Sequence, residues 1–243
     1  MSQASLVNRQ LRLQLGSQPS YRRESFIVSS SNAEAVRALD AWPAWHGGVL
    51  ALTGPEGSGK THLAQAWRAV ADAAQLDGAL PLLELPKLAG RPVLIEDADR
   101  ADPETLFHLI NMAAQPNAGL LLTARTAPAT WTTTLPDLRS RLNALPVAEL
   151  GPPDDELLEG VLQKFFRERL IRPSDDIFPY LVRRMERSVP VALAIVERLD
   201  EASDAEQRPV SRALARQILE EGGETQDLFA TRLAEPGGSG DNG

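Results

Sequence analysis

GPEGSGKT, residues Gly54 to Thr61, matches the pattern G-x-x-x-x-G-K-[ST] at every fixed position. The chemistry needs those residue types. Gly54, Gly57 and Gly59 let backbone N–H groups turn toward phosphate oxygens, Lys60 is set to reach the β and γ phosphates, and the Thr61 hydroxyl is set to coordinate Mg²⁺. The flanks agree with this reading: GVLALTG, Gly48 to Gly54, reads as a short buried strand entering the loop, and Thr61 to Leu76 as the amphipathic helix that leaves it. Lysine occurs at three positions in the chain, Lys60, Lys87 and Lys164, and one of them falls here. The rival reading is a plain glycine turn between strand and helix. The favoured one is a phosphate loop for ADP or ATP with Mg²⁺.

A phosphate loop of this kind needs an acidic strand end near it. RPVLIEDADR, Arg91 to Arg100, puts Glu96 and Asp97 after an apolar run, with Glu96 as the magnesium carboxylate beside Thr61 and Asp97 as the water-activating one.

Outward from these two stretches, strands are expected near Leu80 to Leu83, Val93 to Asp97, Leu120 to Thr123 and Val147 to Leu150. Helices are expected over Ala33 to Trp42, capped by Ser31 or Asn32, over Pro103 to Ala114 and around Leu135 to Asn143. Alternating strands and helices predict an α/β fold with a parallel sheet between helices. From Pro152 the pattern is helical throughout: Pro153 to Arg169, Asp175 to Arg187, Pro190 to Ala202 and Ser211 to Glu220, with Asp154, Ser174 and Ser211 or their neighbours as caps. The chain therefore divides into an arm (1–22), a nucleotide-binding subdomain (23–151), an all-α lid subdomain (152–221) and a glycine-rich acidic tail (222–243) expected to be disordered.

Composition narrows the function. The 25 basic and 33 acidic residues leave a net charge of −8, which argues against broad binding to a phosphate backbone. There is no cysteine and there are three histidines, His46, His62 and His108, leaving little scope for disulfides or zinc. No apolar run is long enough for a bilayer, and the first residues lack a secretory core, so the expected location is the cytoplasm.

The phosphate loop, the Val93 to Asp97 strand, the strand LLLTAR and the helices after Pro152 together resemble an AAA+ module with its lid. LPDLRSRL, Leu135 to Leu142, is similar to the arginine-finger segment of the DnaA/Hda family, regulators of bacterial replication initiation, and the resemblance spans about residues 10 to 221. It implies that Arg141 is a finger acting in trans on the γ-phosphate of ATP held by DnaA, with Arg139 as a partner contact. It also implies a negative regulator of initiation, working by regulatory inactivation of DnaA at the nucleoid or replisome. The rival for either arginine is a solvated or salt-bridged helix residue.

Near the start, QLRLQL (Gln10 to Leu15) alternates as an edge strand or disordered arm would. The family resemblance gives it another meaning: Gln10, Leu11, Leu13 and Leu15 match a peptide that docks on the DNA polymerase III sliding clamp, the beta subunit. Gln14 stands where the family has proline, which removes preorganisation of the extended form. TQDLF, Thr225 to Phe229, is a lesser candidate for the same role, set against a stray apolar pair in a tail.

Three departures from the family pattern weaken turnover of the chain's own nucleotide. Glu96 replaces an aspartate, Arg125 stands where a small polar or acidic sensor is expected, and Pro190 runs through the place of a lid arginine, for which Arg187 or Arg198 would have to substitute. The implied role is to activate hydrolysis in DnaA, with DNA reached only through partners, no membrane, and self-association into a homo-oligomer left open. The alternatives are a self-sufficient AAA+ ATPase such as a DnaC-type helicase loader, and a non-hydrolysing adaptor.

Overall fold

The computed structural model of the chain describes residues 21–76 and 82–223. The clamp-peptide residues Gln10, Leu11, Leu13 and Leu15 and the tail segment Thr225 to Phe229 lie outside them.

Five strands form one parallel sheet: β1 (Val49–Thr53), β2 (Ala74–Leu76), β3 (Pro92–Ile95), β4 (Gly119–Ala124) and β5 (Val147–Glu149), in the order β2-β3-β4-β1-β5. The central strands are buried along their whole length, as their unbroken apolar runs require of a sheet covered on both faces. Alternation then sorts them. Leu50, Leu52, Leu94 and Leu121 face a core shared with α1 (Ala33–Asp40) and α2 (Lys60–Ala71), where Trp45 and Trp67 stack. Val49, Val93, Ile95, Leu120 and Leu122 face the opposite core, shared with α3 (Pro103–Ala113), α4 (Pro136–Ala144) and Trp131.

After β5 come α5 (Asp155–Glu168), α6 (Ile177–Val182), α7 (Val189–Glu206) and α8 (Arg212–Gly223), which bury a separate core around Leu158, Leu162, Phe166, Leu181, Val196 and Leu199. Asp154 caps α5 by accepting from Leu157 N at 2.7 Å. Its other oxygen accepts from Ser31 N and Ser30 Oγ, so one carboxylate ties the chain before α1 to α5.

Three expectations need correction. α2 ends at Ala71, not Leu76, because Asp72 takes a left-handed conformation at φ 49° and the next residues pair with β3, Ala74 opposite Val93. That pairing supplies the strand expected at Leu80 to Leu83; Leu82 instead begins a 3₁₀ turn, Leu82–Leu88, and Leu80 lies outside the described residues. Asn32 sits at the start of α1 but does not cap it: its side chain accepts from Ser29 N and donates to Ile27 O, bracing the preceding turn.

Candidate functional site

In a parallel sheet the C-terminal strand ends share one edge, where α/β proteins bind ligands. β1 leads into Gly54 to Gly59, β3 into Glu96 and Asp97, and β4 into Arg125, so the fold gathers these residues at one place. Register tightens the grouping, since Thr53 at the end of β1 lies opposite Ala124 at the end of β4.

Two loop glycines are required by what surrounds them. Gly57 has φ +74°, and a Cβ there would meet Ser188 Oγ at 2.4 Å; Gly59 has φ +96°, and a Cβ there would meet the Phe26 ring at 2.9 Å. The loop thus lies between the start of α7 and the chain preceding α1. Val189 N donates to Gly57 O at 3.3 Å, and Pro190 packs on the same glycine.

Lys60 opens α2. Its ammonium donates to Gly54 O at 2.9 Å and to Pro55 O at 2.8 Å, folding the side chain back over the loop. Burial lowers its pKa and Arg125 lowers it further, against Asp97 and Glu56, which raise it. Asp97 is exposed in the left-handed region at φ 49°, with its N–H donating to Thr123 Oγ1 on β4 at 3.3 Å. Arg125 pairs with Glu56 of the loop at 2.8 Å.

Glu96 is half-buried. One oxygen accepts from Gln65 Nε2 at 2.9 Å and Gln75 Nε2 at 3.2 Å, while the other is buried and has no hydrogen-bond partner among the described residues. Gln65 lies one turn beyond Thr61 on α2, which places Glu96 on the α2 side of the sheet edge. No group of three or more His, Cys, Asp and Glu side chains suited to a metal ion occurs among the described residues. The donor set fits Mg²⁺ held jointly with phosphates, which takes one or two carboxylates and keeps several waters. Glu96 and Thr61 are the residues that would hold the ion, and the glycine-lined loop with Lys60 would hold a nucleoside polyphosphate.

Arg141 stands elsewhere. It is exposed on α4, whose Leu138 and Leu142 are buried against the α3 side, and its guanidinium lies 5.6 Å from the centre of the Phe107 ring. It forms no ion pair among the described residues. Arg139, two residues earlier, is tied down by a hydrogen bond to Ala129 O at 3.2 Å. Beside Arg141 a cleft of about 360 Å³ is lined by Glu104, Phe107, His108, Leu135, Pro136 and Asp137. Arg187, between α6 and α7, is engaged with Pro153 O at 3.1 Å and Asp155 at 2.5 Å.

The structure adds residues that sequence pattern missed: Phe26 and Ser188 against the loop glycines, Glu56 opposite Arg125, and Gln65 and Gln75 on Glu96. Gln65 alone had a local signal, its helical spacing from Thr61.

No family model matches the sequence. Solved structures do match the fold. Domain III of the replication initiation protein DnaA from Thermotoga maritima superposes with a TM-score of 0.68 at 18% identity, covering 84% of this chain and 97% of that one. A mutant of Thermotoga maritima RuvB gives 0.65 at 16% identity, over 82% of this chain and 71% of that one. A structure described as a DNA replication initiation factor gives 0.63 at 18%, over 75% and 65% respectively. The fold is the AAA+ P-loop fold, a parallel five-stranded sheet between helices with a helical region after it. No helix among the described residues is long and apolar enough to cross a membrane.

Proposed function

We propose that this chain is a DnaA-directed regulator of replication initiation: a bound ADP or ATP with Mg²⁺ sets the AAA+ module, the Gln10 to Leu15 peptide tethers it to the DNA-loaded sliding clamp, and Arg141 promotes hydrolysis of ATP held by DnaA. The observation that carries this reading is the contrast between the two arginines of α4. Arg139 is hydrogen-bonded into its own fold, whereas Arg141 is exposed, presented by the Phe107 ring beside an open cleft. A guanidinium held so is available to a partner's phosphate, and such fingers contribute about 10³ to 10⁵ in rate in other nucleotide hydrolases. Arg141 is carried by α4 and packs on α3, while the phosphate loop's contacts run to Leu150, Phe26, Arg125 and the start of α7. That separation favours action on a partner's nucleotide over action on its own.

The loop's surroundings support an organising nucleotide. Lys60 and Arg125 are both held by groups of the loop, and Pro190 rather than a cation meets Gly57 from the lid. When bound, the nucleotide supplies the negative charge that these groups and the loop N–H donors surround.

The test is phosphate release from ATP-loaded DnaA, with and without DNA-loaded clamp, comparing the wild type with the Leu13→Ala, Leu15→Ala double variant. Stimulation that needs both the clamp and the leucines supports the reading, and no stimulation under any condition refutes it. Asp97, two residues beyond β3 on the sheet edge that carries the phosphate loop, favours a second reading, a self-sufficient ATPase such as a helicase loader. Its signature is turnover by the purified chain that Lys60→Ala removes.

A further inference from the structure

The helices after β5 carry arginines of two kinds. Arg169 is paired with Glu197 at 2.6 Å, Arg187 with Asp155, Arg208 with Glu206 and Arg216 with Glu220 at 2.7 Å. Arg184 and Arg212 have no ion pair among the described residues, and both are exposed. They sit instead on a single ring: the Arg184 guanidinium lies 4.2 Å from the centre of Tyr180, and that of Arg212 4.9 Å from it. Arg184 reaches the ring from just beyond α6, and Arg212 reaches it as the first residue of α8. Tyr180 is 9% exposed and belongs to the core of these helices, so the ring is a fixed platform.

Two like charges on one ring repel each other, in a chain whose 33 acidic residues outnumber its 25 basic ones. The acid available elsewhere on these helices is not spent on this pair. Stacking holds a guanidinium in place while its in-plane N–H groups stay open to an acceptor, in a fork that suits phosphate oxygens. The two distances put the guanidiniums no farther apart than 4.2 plus 4.9 Å, so both act on one short stretch of a polyanion. Arg183 stands exposed beside Arg184 in the chain and adds a third cation at the margin.

We propose that Arg184 and Arg212, set on Tyr180, are a contact for the phosphodiester backbone of double-stranded DNA. Two phosphate contacts made by a chain of net charge −8 give low affinity in free solution. The contact gains weight where a second attachment holds the chain beside a duplex. That use rests on the clamp tether proposed above, whereas the contact itself does not. DNA is then reached directly as well as through partners.

The experiment is NMR titration of the full ¹⁵N-labelled chain with a short DNA duplex, following the arginine Nε–Hε signals, which report low-affinity contacts residue by residue. The signals of Arg184 and Arg212 are expected to shift, and those of Arg141 and Arg167 to stay. Apparent affinity is expected to fall about tenfold between about 50 and about 200 mM salt, the value for two contacted phosphates. Arg184→Gln combined with Arg212→Gln should weaken binding at least about fivefold at the lower salt and flatten the salt dependence, each single change removing about one unit of slope. Circular dichroism checks the fold of each variant. Unmoved signals at Arg184 and Arg212, shifts spread evenly over exposed arginines, or an unaltered slope in the double variant overturns the proposal. So does an equal response to polyglutamate at the same charge concentration, which assigns the pair to an acidic protein segment. Clamp binding, with the clamp free and with it loaded on DNA, separates this proposal from the tether. The wild type should prefer the DNA-loaded clamp, and the double variant should bind both forms equally. If the chain binds neither form, the tether falls and the titration still decides the contact; if the preference survives in the double variant, the contact falls and the tether stands.

Discussion

Gly57 answers to two demands at once, a positive φ and a lid hydroxyl where a Cβ would go. Gly57→Ala should therefore push the start of α7 off the loop, costing about 1–3 kcal/mol and weakening nucleotide binding. Thermal melts with and without ATP check this, and an unchanged midpoint and affinity would show that the loop–lid contact carries no weight. His62, the residue after Thr61, is enclosed by Phe26, Tyr21 and the Arg22 carbonyl. Burial lowers its pKa below the usual 6.5, Arg22 O opposes that, and Lys164 and Arg23 add to it. The unfolded chain thus binds the proton more readily, so stability is full above about pH 6.5 and falls as pH drops through the lower folded value. Replacing His62 with Gln should flatten that part of the pH–stability curve, and an identical slope in the variant would exclude His62 as its source. Eight consecutive letters placed Gly54 to Thr61 because the loop's geometry is local: glycine spacing, a lysine and a hydroxyl carry it. Phe26, Glu56 and Ser188 were illegible for the converse reason. Ser188 and Phe26 reach the loop through the folded chain, and Glu56 is an unconstrained position of the pattern until Arg125 is seen beside it.

At the scale of elements, the strands β1, β3 and β4 declared themselves as apolar runs too short for helices and bounded by glycine, proline or acid. β2 did not. Ala73 to Leu76 continues the apolar spacing of α2, and what makes it a strand is the pairing of Ala74, Gln75 and Leu76 with Val93, Leu94 and Ile95. Register with a later strand leaves no mark on local pattern, which is also why Gln75 on Glu96 was unforeseen. Among helix ends, Asp154 was legible as a cap, but its second role was not. Asp154→Ala should cost about 1–2 kcal/mol in urea unfolding from loss of the α5 cap, and Ser30→Ala should cost only part of that since Leu157 N is untouched. Equal effects of the two substitutions would mean that the tie to the chain before α1, not the cap, carries the energy. Leu158, fully buried in the lid core, should cost about 2–5 kcal/mol when cut to alanine. A loss under 1 kcal/mol by the same measurement would argue that the lid core is loosely packed.

For the whole molecule, the arrangement separates two chemistries. One sheet edge collects the phosphate loop, Glu96, Asp97 and Arg125, and the start of α7 meets it at Gly57. Arg141 stands exposed on α4 against the Phe107 ring, which also lines a separate cleft. On the proposed function, nucleotide at the first site shapes the surface that carries the second, and tethering at the clamp raises the effective concentration of Arg141 at DnaA. Single-turnover hydrolysis of ATP bound to DnaA, in the presence of DNA-loaded clamp, tests this most directly. The account predicts that Arg141→Ala lowers the stimulated rate by at least about 10³ while clamp binding persists, and that Arg139→Ala has a far smaller effect. Full stimulation by Arg141→Ala, or equal losses at the two arginines, would contradict it.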